Sequence, residues 1–258
     1  KPPPNPCIEF KNVSFKYPGT DRYIVRNLNF SILPFEKVAI VGLNGAGKST
    51  VIKLILRFYD PDEGQILLDG IDLRQFDITE LRSVFGAVFQ DFANYAFSAR
   101  ESITLSDLDH SEDELRIHNA CKMSGVDQVM PKWKNGLDTY LTKQFDEEGE
   151  ELSGGEWQKI ALARAFFRDA AVVILDEPTS ALDPEAEHMI FQQFADLCKG
   201  KGAVFISHRL SSVVMADRIL VLEGGQVIEH GTHKELMRKE GRYAYLFNLQ
   251  AEKYIAAG

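Results

Sequence analysis

Residues 38–50 read VAIVGLNGAGKST: an apolar run, a glycine-rich turn, then Lys48, Ser49 and Thr50 opening a helix. This stretch constrains the fold more than any other. A continuous apolar run of this length predicts a strand buried on both faces, hence a covered sheet rather than an open one. Gly42 and Gly47 have four residues between them and are followed by Lys48 and Ser49, the spacing of a phosphate-binding loop. Glycines let the backbone (Gly42, Asn44, Gly45, Ala46, Gly47) wrap a polyphosphate with its N–H groups turned inward. The helix that follows aims its unpaired N–H groups and positive dipole end at the same anion. Lys48 then reaches the β- and γ-phosphates, and the Ser49 hydroxyl is placed to ligate Mg²⁺. The plainer alternative is a glycine turn that binds nothing.

The 258 residues suffice for one large domain or two small ones with a sizeable core. A net charge of −9 argues against a duplex-DNA partner, because phosphate neutralisation needs a basic face. Cys7, Cys121 and Cys198 are odd in number and widely spaced, which predicts neither a disulfide framework nor a metal site and suits a reducing compartment. No apolar run reaches 18 residues. No signal peptide is visible, and the start at Lys1 without a Met suggests a piece of something longer.

Along the chain, residues 1–6 (KPPPNP) read as a proline-rich linker. Short alternating runs at 8–10, 13–15 and 28–32, broken by Tyr17-Pro18-Gly19, predict an antiparallel sheet. The helix after the loop is expected to run to Tyr59, stopped by Asp60-Pro61 and a Glu63-Gly64 turn, with a hairpin over 65–73. Residues 91–169 are mostly helical in pattern, with a capped start expected at Ser111 (SEDEL) and an acidic run over 146–151. Apolar β runs resume at 171–175 and 203–207, a helix pattern lies between them near 185–198, and 219–222 and 226–228 form a last pair around Gly224-Gly225. The fold class is therefore α/β: a mostly parallel sheet, an N-terminal antiparallel β part and an inserted helical part.

Asp176 and Glu177 directly follow the run AVVIL. Ligands of parallel sheets bind at the carboxyl ends of strands, so both acids are expected beside the phosphate loop. Asp176 is placed to hold Mg²⁺ through its water shell and Glu177 to polarise the attacking water; solvated turn acids before Pro178 are the alternative. Ser153, Gly154 and Gly155, in LSGGE, open a long helix as a second anion-binding end. One triphosphate does not need two such ends, so this one is either a plain cap or serves another subunit.

Together these stretches resemble the nucleotide-binding domain of an ATP-binding cassette (ABC) transporter, with a P-loop NTPase core, over about residues 8–249. GLNGAGKST is similar to the family's Walker A, Gln90 to its Q-loop, LSGGE to its signature, VVILDE to its Walker B, Ser180-Ala181-Leu182-Asp183 to its D-loop and His208 to its switch histidine. Tyr17, in FKYPG, resembles the aromatic that stacks on adenine, with a structural tyrosine or Tyr23 in that role as alternatives. The resemblance implies ATP and Mg²⁺ as cofactors, with Gln90 sensing the metal and the attacking water while linking to the membrane part. It also implies a second nucleotide-binding domain, identical or not, and two ATP molecules shared head to tail. Ser153, Gly155 and Asp183 would then belong to a site opposite the partner's Lys48, with His208 on the γ-phosphate. The domain would span residues 7–249, with a helical part at 91–169 and a tail at 250–258.

Within the family the exporter type fits best: the YPG turn, RESI at 100–103 and the closing GGQVIEHGTHKEL resemble exporters whose ATPase follows the membrane domain on one chain. KPPPNP would be the junction, and the protein would sit at the cytoplasmic face of a membrane beside its transmembrane domain, without nucleic acid. GEWQK is similar to the wording of bacterial exporters of lantibiotic-like peptides. Three departures bear on the coupling surface and the cargo. The loop before the signature (residues 143–149) keeps only Glu147 and Gly149 of the exporter pattern, Phe89 stands where proline is common, and Trp157 replaces a polar residue. A DNA- or ribosome-associated ABC ATPase, or an importer subunit, is the alternative. Long heptads between loop and signature are missing, as are basic segments and a second cassette.

Overall fold

The computed structural model describes residues 5–89, 93–144, 146–176, 192, 194–206, 213–214 and 216–256, the side chains of 253–256 excepted. The chain divides into two compact units, one of residues 1–85, 171–177 and 198–258, the other of 86–170 and 178–197.

The first unit holds two sheets. The antiparallel sheet has the order β2-β1-β4-β5, built from β1 (Ile8–Phe15), β2 (Val25–Ile32), β4 (Glu63–Leu68) and β5 (Ile71–Asp72). The two runs expected at 8–10 and 13–15 are one strand. Its pairing with β2 slips between Phe10 and Val13, where Asn12 takes φ +51°. Glu63 and Gly64 begin β4 instead of forming a turn. Gly64 fits because a Cβ there would sit 2.3 Å from the carbonyl oxygens of Lys11 and Asn12 in the bulge. The expected 65–73 hairpin is present, pairing Leu67 with Asp72 and Leu68 with Ile71.

The second sheet contains β3 (Lys37–Val41), β7 (Val172–Asp176), β8 (Gly202–Ile206), β9 (Arg218–Glu223) and β10 (Gln226–Gly231), in the order β10-β9-β3-β8-β7; β6 (Phe85–Val88) runs across the boundary of the two units. Pairings β9–β3, β3–β8 and β8–β7 are parallel and β9–β10 is antiparallel. Strands β3, β7 and β8 are almost wholly buried, which explains their unbroken apolar sequences. Helix α1 (Lys48–Ile55) is four residues shorter than expected. Arg57 turns left-handed at φ +50°, and its guanidinium donates to Asp60 and to the carbonyls of Leu73 and Phe76, ending the helix before the proline can. Helix α2 (Ile78–Ser83) follows β5.

The second unit is helical: α3 (Ala99–Thr104), α4 (Glu114–Ser124) and α5 (Gly154–Arg168). The α4 cap is Asp113, which accepts from the Arg116 N–H, and not Ser111. Glu114 is drawn instead into an ion pair with Arg100, which also binds Asp138. Arg116, Arg164 and Arg168 donate to the carbonyls of Phe167, Ser102 and Ser106, tying α5 to α3 and α4. The chain closes in the first unit with α6 (His233–Lys239) and α7 (Arg242–Ala256), the latter running on through the expected tail.

Among the described residues, seven other than glycine take left-handed φ: Asn12, Asn27, Phe35, Arg57, Asp69, Asp169 and Glu240. The cysteines are free. Burial pushes the Cys121 thiol up to about 11 and that of Cys198 up to about 12, leaving both protonated and unreactive at neutral pH.

Candidate functional site: a glycine loop at the carboxyl edge of the sheet

The site grows from the end of β3. At Gly42 (φ +155°) an added Cβ would lie 2.2 Å from the Leu222 carbonyl oxygen of the neighbouring β9, so only glycine lets the chain leave the sheet here. Ala46 N–H closes a turn on the Leu43 carbonyl at 3.1 Å, with Gly45 at φ +78° inside it. Gly47 caps α1 at φ +104°, where a Cβ would lie 2.9 Å from Val25 Cγ1. Asn44, Gly45 and Ser49 face solvent, whereas Ala46, Gly47, Lys48 and Thr50 are buried.

Lys48 is 6% exposed, and its ammonium donates to the carbonyls of Gly42 (3.0 Å) and Leu43 (3.1 Å). A buried cation beside the loop favours an anion there. Helices α2 to α6 all begin on Asp, Ser or Thr side chains that accept from their first-turn N–H groups. Helix α1 begins on glycine, with no side-chain cap and no acid in its first turn. A helix end of that kind, positive by its dipole, is where an anion binds well.

Parallel register aligns the remaining first-unit residues. Ile40 pairs with Ile206, and Ile206 with Asp176, so Asp176 stands two strands from the loop at the same level. At about 4.8 Å per strand this is about 10 Å. Asp176 is half-buried and Ser49 exposed; carboxylate and hydroxyl oxygens are ligand types that suit a hard cation. Gln90, Glu177, the D-loop with Asp183, and His208 lie outside the described residues. In sequence, Glu177 directly follows β7 and His208 comes two residues after β8.

Tyr17 is half-buried at the rim of the antiparallel sheet. Its Oη shares a 3.1 Å hydrogen bond with Thr50 Oγ1 of α1. The ring meets Phe15 and Tyr59 edge-on, with centroids 5.1 and 5.3 Å away. An open hollow of about 560 Å³ is lined by Phe15, Tyr17, Pro18, Tyr59, Asp60 and Asp62 among others. Tyr23 differs: Lys16 and Arg26 lie over its ring at 5.7 and 5.8 Å, and its hydroxyl donates to Glu63. The sequence reading missed Tyr59 and Lys53, which also pack on Tyr17. The i, i+3 spacing of Thr50 and Lys53 on α1 was the signal available for Lys53.

In the second unit, Ser153 caps α5 in a closed box. Its hydroxyl accepts from the Glu156 N–H and donates to the Glu156 carboxylate (2.8 Å), which also takes the Ser153 N–H (2.9 Å). These bonds hold the Glu156 carboxyl below its ordinary value. Gly154 and Gly155 are exposed on the first turn, with open space where a Cβ would stand. Trp157 is buried, which accounts for an indole where a polar residue was expected. In the acidic run, Glu147 is exposed and Glu148 pairs with Lys134. Among the described residues no helix is long and apolar enough to cross a membrane.

Known proteins with the same arrangement were found by sequence and by structure. The subtilin transport ATP-binding protein SpaT of Bacillus subtilis is 43% identical over 231 residues, covering 90% of this chain and 38% of that protein. The ATP-dependent lipid A-core flippase of Alcanivorax borkumensis is 43% identical over 242 residues, covering 94% and 40%. The flippase of Escherichia coli K12 is 42% identical over 243 residues, covering 94% and 41%. A bacterial Atm1-family ABC exporter solved with ATP bound superposes with a TM-score of 0.86 at 36% identity, covering 96% of this chain and 42% of that one. The chain thus spans about two fifths of the length of these relatives. Residues 25–180 match the ABC transporter family. The chain belongs to the ABC transporter family, as one of its ATPase domains.

Proposed function

We propose that the domain binds ATP with Mg²⁺ at the loop of residues 42–50 and hydrolyses it to drive export through a transmembrane part. The observation that carries this reading is α1, the helix begun on glycine, whose first residue is the buried Lys48 with its ammonium on the carbonyls of Gly42 and Leu43. The amides of 42–50 and the Lys48 ammonium hold the phosphates in place. Ser49, Asp176 and Gln90 are the groups that would hold Mg²⁺, which neutralises charge on the phosphate oxygens. Glu177 orients a water and takes its proton as the water oxygen bonds to the γ-phosphorus and the bond to the ADP oxygen breaks. His208 hydrogen-bonds the γ-phosphate. Tyr17 carries the base, supported against Tyr23 by its hydrogen bond to Thr50 of α1 and by the hollow that it, and not Tyr23, lines.

Ser153, Gly154, Gly155 and Asp183 serve the ATP held by a second copy or a related domain. The relatives, a transport protein, flippases and an exporter, support export and association with a membrane, and the domain is assigned to its cytoplasmic face. Nucleotide titration and phosphate release on two variants test the assignment. Glu177→Gln is expected to keep ATP affinity while cutting turnover by about a hundredfold or more. Lys48→Ala is expected to weaken binding itself. Near-normal turnover in the Gln variant removes Glu177 from the chemistry.

A further inference from the structure

We propose that Lys53 is a positioning residue for the base: its ammonium covers one face of Tyr17 and fixes the ring on which ATP stacks. The inference deepens the assignment of Tyr17 given above and rests on it. Lys53 Nζ lies 5.4 Å from the Tyr17 ring centroid. Lys53 stands one turn after Thr50 on α1, so a single helix face holds this ring twice, by the Thr50 hydroxyl at its tip and by a cation on its face. Phe15 and Tyr59 meet the ring at 81° and 88°, edge-on, and complete its fixation.

The hollow that Tyr17 lines is bounded by Phe15, Tyr59 and Pro18 but by neither Lys53 nor Thr50. The ammonium thus contacts the ring without itself bounding the hollow. A ring already ordered loses less freedom when a flat ligand stacks on it. The attraction itself comes from the ring quadrupole and depends on the cation being present. Lys53 thus links the helix that receives the phosphates to the platform that receives the base.

A second cation near ATP also raises affinity by plain attraction to the phosphates, and inorganic tripolyphosphate separates the two effects because it has no base. The 258-residue chain is titrated with ATP and with tripolyphosphate, each with Mg²⁺, as wild type, Lys53→Ala, Lys53→Arg, Tyr17→Ala and the Tyr17→Ala/Lys53→Ala double variant. Lys53→Ala is expected to weaken ATP about three- to fivefold, the size of one partly exposed cation–π contact, and to leave tripolyphosphate unchanged. Lys53→Arg restores ATP affinity, and Lys53→Ala adds nothing to Tyr17→Ala. Equal loss of both ligands, no loss, a gain in ATP affinity or full additivity with Tyr17→Ala overturns the proposal. If Tyr17→Ala binds ATP as wild type does, the base platform fails first and takes Lys53 with it. If Tyr17→Ala is weakened and Lys53→Ala is not, only the Lys53 role falls.

Discussion

Gly42 and Gly45 look alike in the sequence, yet the structure gives them unequal work. Both have φ in the region that side chains avoid, but only Gly42 faces a backbone oxygen, Leu222, at 2.2 Å from a built Cβ. Nothing lies near Gly45. Gly45→Ala is therefore expected to cost about 1 kcal/mol of backbone strain, and Gly42→Ala to cost roughly 3 kcal/mol with loss of nucleotide binding. Denaturation midpoints and ATP titration measure both; equal effects would mean that β9 plays no part in shaping the loop. The pattern of glycines, Lys48 and Ser49 was legible because chemistry fixes its spacing. The reason for Gly42 was not, since its partner Leu222 lies 180 residues further along and reaches it only through strand pairing. For the same reason Tyr17 could be named as a platform, while the edge-on packing of Tyr59 against it could not be.

Elements whose ends are set locally were readable, and those set from a distance were not. The α5 start at Ser153 follows from Ser-x-x-Glu alone, and the β9–β10 hairpin from Gly224-Gly225. Helix α1 was read four residues too long because the hydrogen bonds that hold Arg57 come from Leu73 and Phe76. At α4 the same Ser-x-x-Glu pattern misled, because Glu114 is taken by Arg100 of α3. The α5 box also carries a pH signature. The Ser153 N–H and hydroxyl hold the Glu156 carboxyl below its ordinary 4.5. Its folded value is lowered, so the box stabilises fully above that ordinary value and is lost as pH falls through the folded one. Thermal melts of wild type and Glu156→Gln are expected to differ by about 1 kcal/mol at pH 7, a gap that closes as pH falls below the ordinary 4.5 and through the lowered folded value. A gap that stayed constant with pH would mean that the carboxylate contributes no charge-dependent capping.

At the scale of the whole molecule, the loop and the Ser153 helix end belong to different compact units, each with its own core. If each ATP lies between Lys48 of one copy and Ser153 of another, a mixed dimer of Lys48→Ala and Ser153→Arg gathers both lesions into one site and leaves the other intact. Mixing the two inactive variants is then expected to restore part of the ATPase activity. A mixture that stays inactive, with mixed dimers demonstrated by crosslinking, removes the shared site.

The seven left-handed residues that are not glycine have a separate effect on the unfolded chain. A left-handed residue with a side chain costs the folded backbone about 1–2 kcal/mol, less for Asn and Asp. Glycine there would relax the fold but give the unfolded ensemble about 0.4–1 kcal/mol of extra freedom. At Asn12, Asn27, Asp69 and Asp169 the two effects nearly cancel, and the Asp69 side chain adds a hydrogen bond from the Cys7 N–H. Only Phe35, Arg57 and Glu240 carry a net cost. The chain thus makes sharp reversals at helix ends and strand bulges while keeping its unfolded state stiffer than a glycine-rich equivalent, and so closer to the folded one in entropy.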